Sequence, residues 1–303
     1  MTNKTFYRLD AVSVLDVQGA DAIAIVHNLT TNEVKSLDVA EGRETFVTDV
    51  RGKTLGHVMM FRTSSGLRMI GPSGQSNRIA EHADRYTIRE DAVPVIRDEE
   101  FEAFVFPSDS NPCPQLQSTE AKPHQFNSEN DDHLGELYQS MWLGHGTVIA
   151  MIPKDQLKPA LDRLEKEGYE LLSEAEFHHR RVRCGFPWYG IDLDDSNLPQ
   201  EADRDEIAVS FTKGCYLGQE TVARLDALGQ VQKKLVRWSL VGTPDAGTKL
   251  AVGEKIVGRL TSVVSDENQS LAIGFARRSH FESGSTASAT IESTGKEVIG
   301  TVL

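Results

Sequence analysis

The stretch Lys213-Gly214-Cys215-Tyr216-Leu217-Gly218-Gln219-Glu220 places one thiol between a lysine and two glycines. Residues 207–211 form an apolar run that gives way to a predicted helix starting near Leu217. A helix N-terminus and a nearby cation both favour thiolate over thiol. Cys215 is therefore a candidate reactive group, and the competing reading is a buried structural cysteine in a tight strand-to-helix turn. Gly214 and Gly218 suit a sharp turn or a place where a ligand meets bare backbone. Around the thiol, Lys213 can lower its pKa or stand on the surface, and Tyr216 can stack on a ring or fill core. Glu220 sits where a helix dipole already favours a carboxylate, and Gln219 can read an amide or a ring edge. Trp188 and Tyr189 either line a cavity or pack beneath one.

The remaining chemistry-bearing residues form weaker patterns. His178 and His179 adjoin Arg180, Arg181 and Arg183, and a second basic group is Lys233, Lys234 and Arg237. No cysteine or carboxylate stands at a zinc-type spacing from the histidine pair, and adjacent helical residues point apart, so no metal site is assigned. Short basic runs are normally solvated faces. A formal net charge of −13 argues against a chain whose main task is gripping nucleic acid, and makes any RNA contact a local one. There is no P-loop, no strand-linked G-x-G-x-x-G and no Ser-His-Asp hydrolase signature.

Lys-Gly-Cys-Tyr-x-Gly-Gln-Glu resembles the hallmark of the YgfZ family, folate-binding proteins that assist maturation of certain iron-sulfur enzymes and are linked to tRNA modification. The likeness spans roughly residues 5–275. It takes in Val12-Ser13-Val14, Gly19-Ala20-Asp21-Ala22, Leu29-Thr30-Thr31-Asn32-Glu33-Val34 and Thr48-Asp49-Val50-Arg51-Gly52-Lys53. Further on come Gly185-Phe186-Pro187, Gly190-Ile191-Asp192 and Leu198-Pro199-Gln200-Glu201. The resemblance implies an α+β fold shared with the glycine-cleavage T-protein: three lobes around a central channel, with an antiparallel β-barrel last. Residues 1–230 would form the folate-binding region and residues 231–303 the barrel. Tetrahydrofolate or a related folate would occupy the channel, and iron-sulfur client or assembly proteins would be the partners, with tRNA contact doubtful and at most local. Cys215 would bond transiently to a cluster, a metal or a one-carbon adduct. Lys213 would hold the folate glutamyl carboxylate, and Tyr216, Gln219, Glu220, Arg183 and Tyr189 would complete the cofactor wall.

Two activities stay open on this fold: an accessory factor for iron-sulfur enzymes, or a tetrahydrofolate-dependent aminomethyltransferase of the T-protein type. In the T-protein branch a pair of aspartates follows a glycine-containing turn, because methylene transfer needs a carboxylate near the reacting folate nitrogen. Gly56 and His57 stand at the corresponding positions here. The pterin-binding glutamate of that branch corresponds to Arg183, and a cation cannot accept the hydrogen bonds that a pterin ring donates. Gln219 replaces a common arginine.

These residues must be positioned by a mixed fold. After Gly19, the residues Ala22, Ile25, Val26 and Leu29 fall on one helical face. Residues 44–48 and 55–61 read as a hairpin through the turn 49–53, with Gly52 as its permissive residue and Asp49, Arg51 and Lys53 as ordinary tip residues. A helix is predicted over 75–86, and strands over 93–96 and 101–106. Residues 107–132 lose all apolar period and read as a long surface connection or partly disordered insertion, with Cys113 incidental. A helix carrying Leu157, Ala160, Leu161 and Leu164 follows, and Ser173-Glu174-Ala175-Glu176 has capping-box form for the next. Four short β-type runs, 235–241, 255–264, 271–276 and 297–302, make the barrel. With 303 residues, 39% hydrophobic, the chain can bury a large core. Three cysteines without pairing, no apolar leader and no span of about 20 apolar residues suggest a cytoplasmic chain away from membranes.

Overall fold

The computed structural model describes residues 4–112, 124–127 (backbone only), 133–229, 231–266, 270–290 and 296–303. Cys113 and most of the predicted 107–132 connection lie outside the described residues. Three sheets organise the rest: one of five strands, one of six and a closed barrel. The five-stranded sheet runs β3 (Gly42–Thr48), β4 (Thr54–Arg62), β5 (Gly66–Pro72), β2 (Val12–Gln18) and β6 (Val93–Ile96). All its pairings are antiparallel. Helices α1 (Ala22–Leu29) and α2 (Ser76–Tyr86) pack on it through a core that includes Ala22, Ile25, Val26, Leu29, Ile79 and Ala83. The predicted apolar stripe of α1 is thus the buried face.

The six-stranded sheet runs β11 (Tyr169–Leu172), β1 (Lys4–Leu9), β7 (Phe101–Phe106), β10 (Thr147–Pro153), β9 (His133–Ser140) and β8 (His124–Asn127). Its period of two serves two cores. Phe6, Phe104, Phe106, Val148 and Ala150 face helix α3 (Leu157–Lys166), while Tyr7, Leu9, Ala103, Val105 and Ile149 face α4 (Glu174–Cys184). The second core also takes Val12, Val14, Met59 and Ile70, so the two sheets share it. Burial on both faces explains why β10 reads as a near-continuous apolar run and β7 as one broken only by Glu102. Ser173 caps α4 as predicted, its hydroxyl accepting from the Glu176 N–H while Glu176 reaches back. The 107–132 segment differs from its predicted irregularity at β8, which pairs with β9 as an edge strand.

The barrel closes in the order β12 (Lys233–Val241), β15 (Ser270–Arg277), β14 (Lys255–Ser265), β13 (Lys249–Val252), β16 (Thr286–Thr290) and β17 (Glu297–Val302). Trp238 fills its centre at 0% exposure. The barrel admits that indole because Gly258 and Gly300 face it; a Cβ at either would lie 3.0 to 3.1 Å from the ring. The four predicted strands are present, and β13 and β16 are additional to them. Helix α5 (Asp205–Ala208) precedes the octapeptide, whose last two residues open α6 (Gln219–Leu228). The 207–211 run is therefore the end of a one-turn helix and the start of a loop rather than a strand, and α6 starts two residues later than predicted.

Candidate functional site

The octapeptide lies in a loop stitched to the C-terminal end of α1 and to the segment after it. Thr31 and Asn32 donate side-chain hydrogen bonds to the carbonyls of Ala208 and Ile207, Ser210 N–H donates to Thr31, and Leu217 N–H donates to the Asn28 carbonyl. Helix α1 ends without a glycine C-cap: Thr30 is extended, so its last carbonyls need donors from outside the helix. Leu217 supplies the donor for Asn28 and Lys213 the donor for His27. Its ammonium donates to the carbonyls of His27 at 2.7 Å, Thr30 at 2.5 Å and Asn32 at 2.8 Å.

Lys213 is therefore not the surface lysine that one reading of the sequence allows. The side chain is buried, its three N–H groups are spent on backbone carbonyls, and none is left for a folate carboxylate or the thiol. Burial pulls its pKa down to about 7, against the pull of the Glu33 carboxylate. The matching of three acceptors to three donors belongs to the charged form. The same ammonium lies 5.0 Å from the centre of the Tyr216 ring, a cation–π contact.

On its other side the loop meets the 49–53 hairpin turn. Gly218 is the N-cap of α6 at φ +78°, and a Cβ there would lie 2.5 Å from the Gly52 N and Cα atoms and would also strike the Asp49 carbonyl. Gly52, at φ +79°, faces back onto the Gly218 carbonyl. Two glycines far apart in sequence are thus required by one close backbone approach. Thr48 adds a hydroxyl bond to the Leu217 carbonyl at 2.7 Å.

Held from both sides, the loop presents Cys215 to solvent as a free thiol. Beside it opens a cavity of about 380 Å³ walled by Ile25, Leu29 and Leu217, with Tyr86 and Tyr216 as its aromatic members and Asn28 as a polar one. Tyr216 is both core and wall: it is 8% exposed, and burial pushes its pKa up to about 12. The other expected residues lie outside that lining. Gln219 and Glu220 form the first turn of α6, where Glu220 is exposed and complements the helix dipole. Tyr189 shares a hydrophobic cluster with Tyr216, and its hydroxyl accepts from Arg78 and donates to the Thr54 carbonyl. Arg183 is ion-paired with Asp266 at 2.5 Å.

His57 reveals a cluster that the sequence reading did not find. Its ring is stacked between Phe46 at 4.6 Å and Phe186 at 5.4 Å, and Nε2 meets Glu44 at 2.8 Å. Arg204 closes on the same carboxylate with two bonds, of 2.7 and 2.5 Å. Burial alone would push the Glu44 carboxyl up, but His57 and Arg204 together hold it at about 2. The available signal was register: Phe46 pairs directly with His57 across β3 and β4, and Glu44 shares the Phe46 side of its strand. Gly56 next to it abuts α2, and a Cβ there would fall 2.6 Å from the Ile79 side chain.

The two basic groups are largely spent on ion pairs. Arg180 pairs with Asp109, and Arg181 is buried against Asp192 at 2.6 Å. Lys233 meets Glu201 and Lys234 meets Asp203. Arg181 also receives His178 as an acceptor, and burial holds that imidazole down at about 4. No helix among the described residues is long and apolar enough to cross a membrane.

No protein-family profile matches the chain. Its architecture is that of the T-protein: the aminomethyltransferase T of the glycine cleavage system from Bartonella henselae superposes with a TM-score of 0.84, covering 99% of this chain and 85% of that one at 13% identity. By sequence, the chain is a homologue of proteins named YgfZ and IBA57 over most of its length. The tRNA-modifying protein YgfZ of Shigella dysenteriae is 23% identical over 255 residues, which is 81% of this chain and 76% of that protein. The mitochondrial iron-sulfur cluster assembly factor IBA57 of Mus musculus is 26% identical over 259 residues, which is 78% of this chain and 67% of that protein.

Proposed function

We propose that this protein binds a folate and serves iron-sulfur enzymes as an accessory factor through Cys215, without carrying out aminomethyl transfer. The observation that carries the reading is the exposed thiol at the edge of an apolar, tyrosine-flanked cavity, on a loop anchored from two sides. The names of the relatives support the same role, one being a tRNA-modifying protein and the other an iron-sulfur cluster assembly factor. The cavity suits the ring end of a folate in kind: aliphatic walls, two aromatic rings, and an asparagine amide able to donate and accept at a pterin edge. A thiolate at its edge is a soft ligand for iron and a nucleophile toward sulfur or carbon. A reducing cytoplasmic setting would keep it free.

Two features speak against the transferase. Position 56 has no room for a carboxylate, because Ile79 occupies the space. His57 is committed to Glu44 and sealed between two rings at 2% exposure. A tRNA link would run through client enzymes, since the arginines at 180 and 181 are tied to carboxylates.

Titration calorimetry with tetrahydrofolate tests the reading. The native chain should bind saturably, Cys215→Ser should still bind, and Asn28→Trp, which fills the cavity from an exposed position, should lose binding. Methylene transfer by the native chain, or tetrahydrofolate binding indifferent to Asn28→Trp, would refute it.

A further inference from the structure

A second concavity, of about 590 Å³, lies between the turn at residues 190–197 and the barrel. It is independent of the Cys215 loop, sharing no lining residue with the cavity there. Its volume is within the range of small-molecule sites, roughly 300–1,000 Å³. Its composition is what separates it from an ordinary crevice. Lys255, Arg259, Arg277 and Arg278 all line it, all are exposed, and among the described residues none has an ion-pair or side-chain hydrogen-bond partner. Elsewhere on this acidic chain, of net charge −13, Arg8, Arg68, Arg180 and Lys234 are paired with carboxylates, and cations without a partner among the described residues, such as Arg51, Arg62 and Arg224, do not line this cleft.

The acids of the cleft do not neutralise those four. Asp192 is consumed by Arg181, the Trp188 N–H, Thr261 and Ser262. Asp194 turns onto the N–H and hydroxyl of Ser196, which hold its carboxyl below the usual range. The fifth cation, Lys233, is held by Glu201 and by the face of Phe275. Between the charges stand Ile191 and Ile256, at 49% and 43% exposure, apolar groups left open where a ligand could cover them.

We propose that this cleft binds a small amphiphilic anion bearing at least two phosphate groups, with the four free cations taking the phosphates and the two isoleucines taking its apolar body. Guanidinium groups match phosphate oxygens in paired hydrogen bonds, and three of the four cations are arginines. A small molecule fits better than a nucleic acid. These four cations share one concavity, whereas a strand of nucleic acid would lie along a chain that is acidic as a whole.

Titration calorimetry in magnesium-free buffer, with ADP and with inorganic pyrophosphate as probes, tests this. Both should bind, ADP the more tightly. Arg259→Gln and Arg278→Gln should each weaken both by about tenfold, the worth of one charge-assisted hydrogen bond. Ile256→Ser should weaken ADP and leave pyrophosphate unchanged. Lys255→Gln serves as a further variant should either arginine change lower the thermal midpoint. Absence of saturable binding, equal affinity for the two probes, binding indifferent to the arginine changes, or binding of a single-stranded RNA oligonucleotide in place of ADP would each overturn the proposal.

Discussion

Replacing Lys213 by methionine isolates what the octapeptide lysine does, because methionine keeps the aliphatic length and removes only the donors. The structure sets the size of the effect. Three backbone carbonyls, of His27, Thr30 and Asn32, lose their partner in a buried site. A stranded buried acceptor costs about 1–3 kcal/mol, and relief from burying an ammonium offsets part of it, so the low end gives a loss of about 3 kcal/mol. Urea denaturation at neutral pH would measure it. A second readout is local: in a chain carrying Cys113→Ser and Cys184→Ser, an aromatic disulfide reagent should modify Cys215 faster once the strut is gone. A loss of under about 0.5 kcal/mol with unchanged thiol reactivity would refute the strut, and a side chain free to hold a ligand carboxylate would then be the better description.

Two further outcomes follow from the geometry. Gly218→Ala and Gly229→Ala both place alanine at positive φ, but only position 218 meets backbone within contact distance. Gly229→Ala should therefore cost about 1 kcal/mol and Gly218→Ala at least about 2 kcal/mol, with equal losses by thermal melting arguing against the hairpin contact. The Glu44 carboxyl, held at about 2 in the folded chain against an unfolded value near 4.5, contributes stability that is whole above pH 4.5. That contribution, about 3 kcal/mol, drains away as pH falls from 4.5 to 2. Glu44→Gln should flatten the stability profile across that window, and an unchanged acid limb would show that His57 and Arg204 do not hold the charge.

Periodicity made some parts of the fold legible and could not reach others. Helix α1, the 44–61 hairpin and the capping box of α4 depend on contacts within a few residues, and each forms where its spacing predicts. Strand β13 is only four residues long and β16, five residues long, is built of Thr, Ala and Ser, so their pairing comes from barrel closure rather than local propensity. The edge strand β8 sits in a polar segment, so its pairing with β9 likewise comes from tertiary context rather than local propensity. At the site, the glycines flanking Cys215 are legible as a turn, and the thiol is exposed in that turn. The burial of Lys213 is not legible, because its partners lie more than 180 residues away. The clue was on α1, which ends at Leu29 with no glycine to satisfy its final carbonyls.

That pattern changes how the octapeptide itself should be understood. Lys213 ties the loop to α1, Gly218 lets it touch the hairpin, Tyr216 anchors it in the core, and Glu220 settles the start of α6. Four of its residues are thus explained by holding the backbone in place, and of its exposed residues, Gly214, Cys215 and Glu220, Cys215 is the one with a nucleophilic side chain. A catalytic triad spreads its chemistry over several side chains; here the surrounding residues fix the position of one sulfur beside a cavity. Such an arrangement suits a protein that receives or hands over a reactive group, since transfer needs an accessible atom of fixed position more than it needs an acid and a base. On the proposed reading, a site that needs no proton moved leaves this region free for the buried Glu44–His57–Arg204 cluster.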